Sequence, residues 1–265
     1  MKKSLGIALN DLFASARNWP LWIDLAWRDI RLRYVRTIIG PFWLTLSSGI
    51  FIFAFGLIYA NLFKQELQGY LPYLTAGFLP WILVSTNVVE SCKIFTADKA
   101  AITNWPFPYL IMVYRLICRN LIIFFHNLVI LVFVCLMYGP VPTWNLLWIP
   151  LSLTLVCLNG LWIGVFMATI CVRFRDIEQL VVSLMQITMF VTPIFWKPEM
   201  LSGRGRAAFV DGNFFYHMIE ILRAPLLGHA PTAFSLTFVI VTATIGLFFT
   251  LWFYGRFRRR IPFWV

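Results

Sequence analysis

From Asn120 to Val172 the chain runs through 53 residues without an aspartate, glutamate, lysine or arginine. Such a run belongs in a bilayer, where a spanning helix needs about 20 mostly apolar residues. Tyr138-Gly139-Pro140-Val141-Pro142 divides it into two spans, because this turn cannot continue a helix. Reading charge and Pro/Gly breaks in the same way gives six candidate spans: Ile38 to Phe63, Leu71 to Val89, Leu110 to Met137, Leu146 to Val172, Leu180 to Trp196 and Thr232 to Tyr254. Of the 265 residues, 60% are hydrophobic and 12% charged, against about 25% charged in soluble domains. We therefore expect an all-α integral membrane protein with one membrane domain over residues 1–265 and no sizeable soluble module.

Lysine and arginine in the short flanks set the orientation. Seven precede Thr37, Lys93 and Lys99 lie in the second connection with Arg115 and Arg119 just beyond, Arg173 and Arg175 follow the fourth span, and Arg256, Arg258, Arg259 and Arg260 end the chain. Both termini are expected in the cytoplasm. The net charge of +11 sits in clusters beside apolar runs, which suits anionic lipid head groups and not nucleic acid. The five cysteines fall in or next to predicted spans without a CxxC pair and read as packing residues. Lys2-Lys3 followed by Ser4 to Leu9 resembles a signal peptide only faintly, because Asn10-Asp11 interrupts it, so the first span is expected to be an uncleaved anchor.

Residues 21–36 read as an amphipathic interface helix. Ile23, Ala26, Trp27, Ile30 and Tyr34 gather on one face, opposite Asp24, Arg28 and Arg31. Asp24/Arg28 and Asp29/Arg33 stand in the favourable i,i+4 order. In the second connection, Thr96 is placed to cap a short helix running through Lys99 and Ile102, and Pro106 and Pro108 stop it. Arg115, Arg119 and His126 share one face of the third span, where the arginines either snorkel to the interface or line an entrance. Gly160 and Gly164 make a small face for close helix approach. From Phe214 to Leu222 an apolar block too short to span reads as interfacial or re-entrant, with Glu220 and Arg223 as i,i+3 neighbours.

Arg28-Asp29-Ile30 with Arg33-Tyr34 and Gly40-Pro41-Phe42-Trp43, then Arg173-Phe174-Arg175-Asp176-Ile177, Thr192-Pro193-Ile194 and Arg223-Ala224-Pro225-Leu226-Leu227-Gly228, occur in order along the chain. Together they resemble the permease subunits of polysaccharide-exporting ABC transporters of the O-antigen and capsule type. Where that family usually has Asn-Pro, this chain has Asn213-Phe214. The resemblance implies a homodimer working with two copies of an ATPase subunit, which alone binds ATP and magnesium. The cargo it implies is an undecaprenyl-type lipid-linked polysaccharide moved outward across the bacterial inner membrane. By the same resemblance, residues 94–103 are a coupling helix, with Thr96, Asp98, Lys99 and Ile102, together with Asp29 and Arg33, facing the ATPase. Arg28, Arg31, Arg115 and Arg119 are implied at the substrate entrance. Residues 197–231 become an external gate of short re-entrant helices, with Pro193, Phe214, Phe215, Tyr216 and Arg223 at it.

No GxxxxGK[ST] loop is present, so the chain is not expected to hydrolyse ATP or to be an enzyme. A membrane enzyme acting on lipid-linked sugars is the competing class, against which the three histidines are scattered and no HExxH or paired-carboxylate motif occurs; no metal ligands are assigned. A secondary transporter is the third class, with Glu90 at the end of the second span its nearest candidate carboxylate.

Overall fold

The computed structural model describes residues 2–35, 42–104, 107–138 and 143–265, and every regular element among them is helical. Two helices come first, α1 (Lys2–Arg17) and α2 (Trp19–Tyr34), followed by α3 (Phe42–Leu62) and α4 (Leu67–Ser91). The short α5 (Ile94–Ala97) and α6 (Lys99–Asn104) lead to α7 (Ile111–Tyr138), then a tight turn of helix at Trp144–Trp148 opens α8 (Ile149–Cys171). Helices α9 (Ile177–Val191), α10 (Gly203–Arg206), α11 (Phe214–Leu226), α12 (Ala233–Phe257) and α13 (Ile261–Trp264) complete the chain. The turn expected at Gly139 to Pro142, Gly40-Pro41, Arg36 at the end of the interface helix, and Pro106 lie outside the described residues.

Among the described residues, five helical stretches are long and apolar enough to cross a membrane: Phe42–Leu62, Leu67–Ser91, Ile111–Tyr138, Trp144–Cys171 and Ala233–Trp264. The expected span from Leu180 to Trp196 is a shorter helix, the 15-residue α9. At 1.5 Å per residue it reaches only about 22 Å, against a hydrocarbon core of about 30 Å. It stops where it does because Thr192 precedes Pro193 and adopts an extended backbone, ψ 139°, the conformation that a following proline imposes.

Up-and-down connectivity puts α1, α2, α5, α6 and α13 at one end of the bundle, here the terminal end, and α10 and α11 at the other, the far end. α4 is the central post, packed on α3, α7, α8, α9 and α11. Of its most apolar window 72% is buried, against 17% for α3, which lies at the periphery. The glycine face expected on α8 is used as the sequence suggests. Gly164 lies where an added Cβ would stand 2.9 Å from Val113 Cγ1 and 3.1 Å from Ser91 Oγ, and Gly160 faces Asn87. A tighter approach is made by Gly246 of α12, where a Cβ would fall 2.3 Å from the Trp162 ring. Alanine at Gly246 is therefore expected to lower the stability of the detergent-solubilised protein by about 1–3 kcal/mol through overpacking. Alanine at Gly69, with open space around it, is expected to be neutral or mildly stabilising; equal melting temperatures for the two variants would refute the close approach.

Candidate functional site

At the terminal end, the ends of two long helices carry charges that a bilayer cannot solvate, and α2 and the α5–α6 segment supply their partners. Arg115, in the second turn of α7, donates from Nε to Asp29 Oδ2 at 2.7 Å and from Nη2 to Asp29 Oδ1 at 2.5 Å. This two-pronged contact pins α2 to α7. Its third nitrogen, Nη1, reaches Asp98 Oδ2 at 2.9 Å, in the break between α5 and α6. One turn further along α7, Arg119 bonds Glu90 at the end of α4 and lies 3.5 Å from Asp29. Arg33 approaches Glu90 at 3.8 Å. Three arginines thus balance three carboxylates. The Asp29 side chain is only 15% exposed and those of Arg115 and Arg119 are 24% and 20% exposed, so removing one member strands its partners at a desolvated boundary. The three carboxylates with Arg115, Arg119, Lys93 and Met112 line a cavity of about 210 Å³.

Several expectations change here. Asp29 does not pair with Arg33, nor Asp24 with Arg28, among the described residues, because Asp29 is drawn across to α7. The protein-facing side of α2 is therefore Ala26, Asp29 and Ile30, while Ile23 and Trp27 remain exposed. Trp22 stacks on Tyr114 of α7 at 5.7 Å. Thr96 caps nothing: its hydroxyl donates back to the Lys93 carbonyl within α5. The single helix expected over 94–103 is broken at Asp98 (φ −103°, ψ 33°), and the Asp98 carbonyl accepts from the amides of Ala101 and Ile102. Ile102 is buried and Lys99 exposed. Arg28 and Arg31 are exposed and enter none of the ion pairs among the described residues. Sequence reasoning missed Asn87 and Asn120, which are hydrogen-bonded at 2.8 Å behind Glu90. It also missed the pairing of Lys93 with Glu178 at 2.7 Å, a bond that holds the lysine ammonium above its ordinary value.

The far end is organised around Arg223, 2% exposed. It donates from Nη1 to the Pro193 carbonyl at 2.7 Å and from Nε and Nη2 to Glu220 at 2.8 and 2.5 Å. Its guanidinium covers the Tyr73 ring at 4.5 Å and the Tyr216 ring at 5.6 Å. The Glu220/Arg223 pair expected from spacing is thus present, and Arg223 additionally ties α11 to the extended segment that follows α9. That segment is held again by Tyr70, whose hydroxyl donates to the Phe195 carbonyl at 2.6 Å. Phe214 and Phe215 pack towards Trp162 and Trp81 at 6.2 and 5.8 Å. Asn213 caps α11, its side chain accepting from the Tyr216 amide at 3.1 Å, so the helix starts without the proline. Next to it, burial pushes the His217 imidazole below its ordinary value, against the opposing effect of the Asp211 carbonyl.

Residues 21–227 match the ABC-2 type transporter family, a stretch that contains both clusters. The chain belongs to this family. Two relatives share its pattern over most of their length. The O-antigen export system permease protein RfbA of Myxococcus xanthus is 25% identical over 176 residues, covering 66% of this chain and 68% of that protein. A protein of the same description from Klebsiella pneumoniae is 21% identical over 221 residues, covering 77% and 85%. In this ABC-2 chain, the family match begins just before the acid that pins α2 and closes one residue before Gly228, leaving α1, α12 and α13 outside it.

Two outcomes test these clusters. Arg115→Met strands Asp98 and leaves Asp29 only its 3.5 Å contact with Arg119, whereas Asp98→Asn leaves Arg115 bonded to Asp29. The first is expected to cost about 1–3 kcal/mol in thermal unfolding, a figure reduced for partial exposure, and the second under about 1 kcal/mol. Equal losses would rule out Arg115 as the shared node. At the far end, Arg223→Lys keeps the charge but cannot serve the Pro193 carbonyl and both bonds to Glu220 at once, so it is expected to raise protease cleavage within residues 197–213 of the detergent-solubilised protein.

Proposed function

We propose that this chain is the transmembrane subunit of an ATP-driven exporter that carries a lipid-linked polysaccharide, of O-antigen, capsule or similar type, outward across the bacterial inner membrane. It works as a homodimer with two copies of an ATPase subunit, which supply ATP and magnesium chemistry. Both termini are cytoplasmic, so the terminal end faces the ATPase. α9 with its extended continuation forms a sixth, thinner crossing, and α10 and α11 dip back from the external side as a gate.

The observation that carries this reading is the Asp29–Arg115–Asp98 node. It joins an interface helix, a short solvent-facing segment and a long apolar helix through one guanidinium. An ATPase seated on Lys99 and its neighbours would act on α7 directly, with no flexible loop to absorb the motion. A further feature supports the assembly. The face of α9 away from the bundle carries Gln179, Ser183 and Gln186, exposed at spacings of four and three. Amides on such a face are costly against lipid and suit a second copy or a watery path. Along α3, Phe51, Phe55, Tyr59 and Phe63 follow one another with centroid separations of 4.1, 5.8 and 5.6 Å. The ladder also stacks on Phe78 of α4 and on Phe195, which ties the peripheral α3 into the bundle. The relatives' description as O-antigen export permeases supports the cargo class.

Capture of the tagged protein from its native membrane in mild detergent tests the reading. An ATPase with a phosphate loop is expected in equal stoichiometry. Because Asp98 is already engaged by Arg115, charge reversal at the exposed Lys99 alone is the cleaner probe of docking. Lys99→Glu is expected to reduce ATPase capture several-fold while the protein still inserts. A wild-type chain that purifies without any such ATPase would overturn the proposal.

A further inference from the structure

Asp11 is a carboxylate on α1 that is only 5% exposed, and α1 precedes the stretch matched by the family. It accepts from the Tyr254 hydroxyl at 2.6 Å and from Arg258 Nε and Nη2 at 2.5 and 3.0 Å. The arginine's guanidinium lies 4.7 Å from the centroid of the Tyr109 ring. Tyr109 meets Phe95 of α5 edge-on at 6.4 Å, and Phe95 is 1% exposed. From the other side, α13 packs on α6, with Ile261 fully buried in the same apolar cluster as Ile102, Phe95 and Ala8. The α5–α6 segment is therefore held on its apolar side by both ends of the chain. A buried carboxylate is retained at such a place only with full pairing, and here three donors from the end of α12 converge on it.

We propose that Asp11, Tyr254 and Arg258 are positioning residues for the α5–α6 segment: they lock α1 to the end of α12 and so fix the Tyr109 ring and α13 against it. The segment is then gripped twice, by Asp98 on Arg115 at its polar side and by this brace at its apolar side. The brace makes α12 move with the segment, as the node does for α7. The transport consequence rests on the reading of α5–α6 as the face towards the ATPase; the positioning itself does not.

Hydrogen exchange on the purified full-length protein without ATPase, followed by the same variants in the assembled transporter, tests this in separable steps. In Arg258→Gln, and more mildly in Tyr254→Phe, amides of 94–104 are expected to exchange roughly tenfold faster, the loss of a charge-assisted hydrogen bond. Those at the far end of α8 should be unchanged. Arg259→Gln, at an exposed neighbouring position, should match the wild type. In the assembled transporter the brace variants should still capture ATPase but hydrolyse more ATP for each polymer delivered to the cell surface. Unchanged exchange at 94–104, or an equal rise along the whole chain, would overturn the brace. Failure of the wild type to capture an ATPase would instead overturn the transport reading, leaving the exchange result to decide the brace.

Discussion

A guanidinium near the end of an apolar helix has no neutral form to retreat to, so it must find water or anions. Arg115 is offered anions from two directions, and this sets the arrangement of the terminal end. Its two-pronged contact with Asp29 fixes the rotation of α2, which turns Ala26 and Ile30 towards α7 and leaves Trp27 outward. Its third nitrogen fixes the break between α5 and α6. Without this residue the short segment loses its ion pair at Asp98, and α2 keeps only the longer contacts of Asp29 with Arg119 and of Arg33 with Glu90.

The two ends of the bundle solve the same problem differently. At the terminal end the charges form a partly exposed mesh in which Asp29 faces Arg115 and Arg119, and Glu90 faces Arg33 and the same Arg119. Partners can be exchanged with small shifts at little cost. At the far end Arg223 is enclosed, and it satisfies a main-chain carbonyl, one carboxylate and two aromatic faces. Such a site has one arrangement or none. On the proposed exporter reading, this asymmetry would serve a bundle that receives motion at one end and holds a closed state at the other.

Much of this was legible from patterns. Uncharged runs gave the long helices and the spacing of Glu220 and Arg223 gave their pair, whereas the fifth span, drawn through Pro193 to Trp196, ends as a helix at Val191. What was not legible is pairing across the chain. Asp29 and Arg33 fit the local i,i+4 rule, worth about 0.2–0.5 kcal/mol on an isolated helix, yet a two-pronged bond to a residue 86 positions away prevails. The helical character of residues 2–17 was overlooked because Asp11 looked like an interruption. Its partners Tyr254 and Arg258 lie more than 240 residues away, and no local window contains them. The apolar positions Leu5, Ala8, Leu9 and Leu12 were the available signal.

Charge balance also bears on where an anionic cargo would first be met. Arg115 and Arg119 were expected to share an entrance with Arg28 and Arg31, but their charge is matched within the mesh by Asp29, Glu90 and Asp98. A diphosphate arriving there would have to displace carboxylates at contact distance, bound by three hydrogen bonds at Asp29, two at Glu90 and one at Asp98. Arg28 and Arg31, one turn apart on the exposed side of α2, meet an incoming head group with only water to displace. The cheaper course divides the arginines by face. On the proposed exporter reading, those turned outward would attract the cargo, and those turned inward hold the helix that presents them.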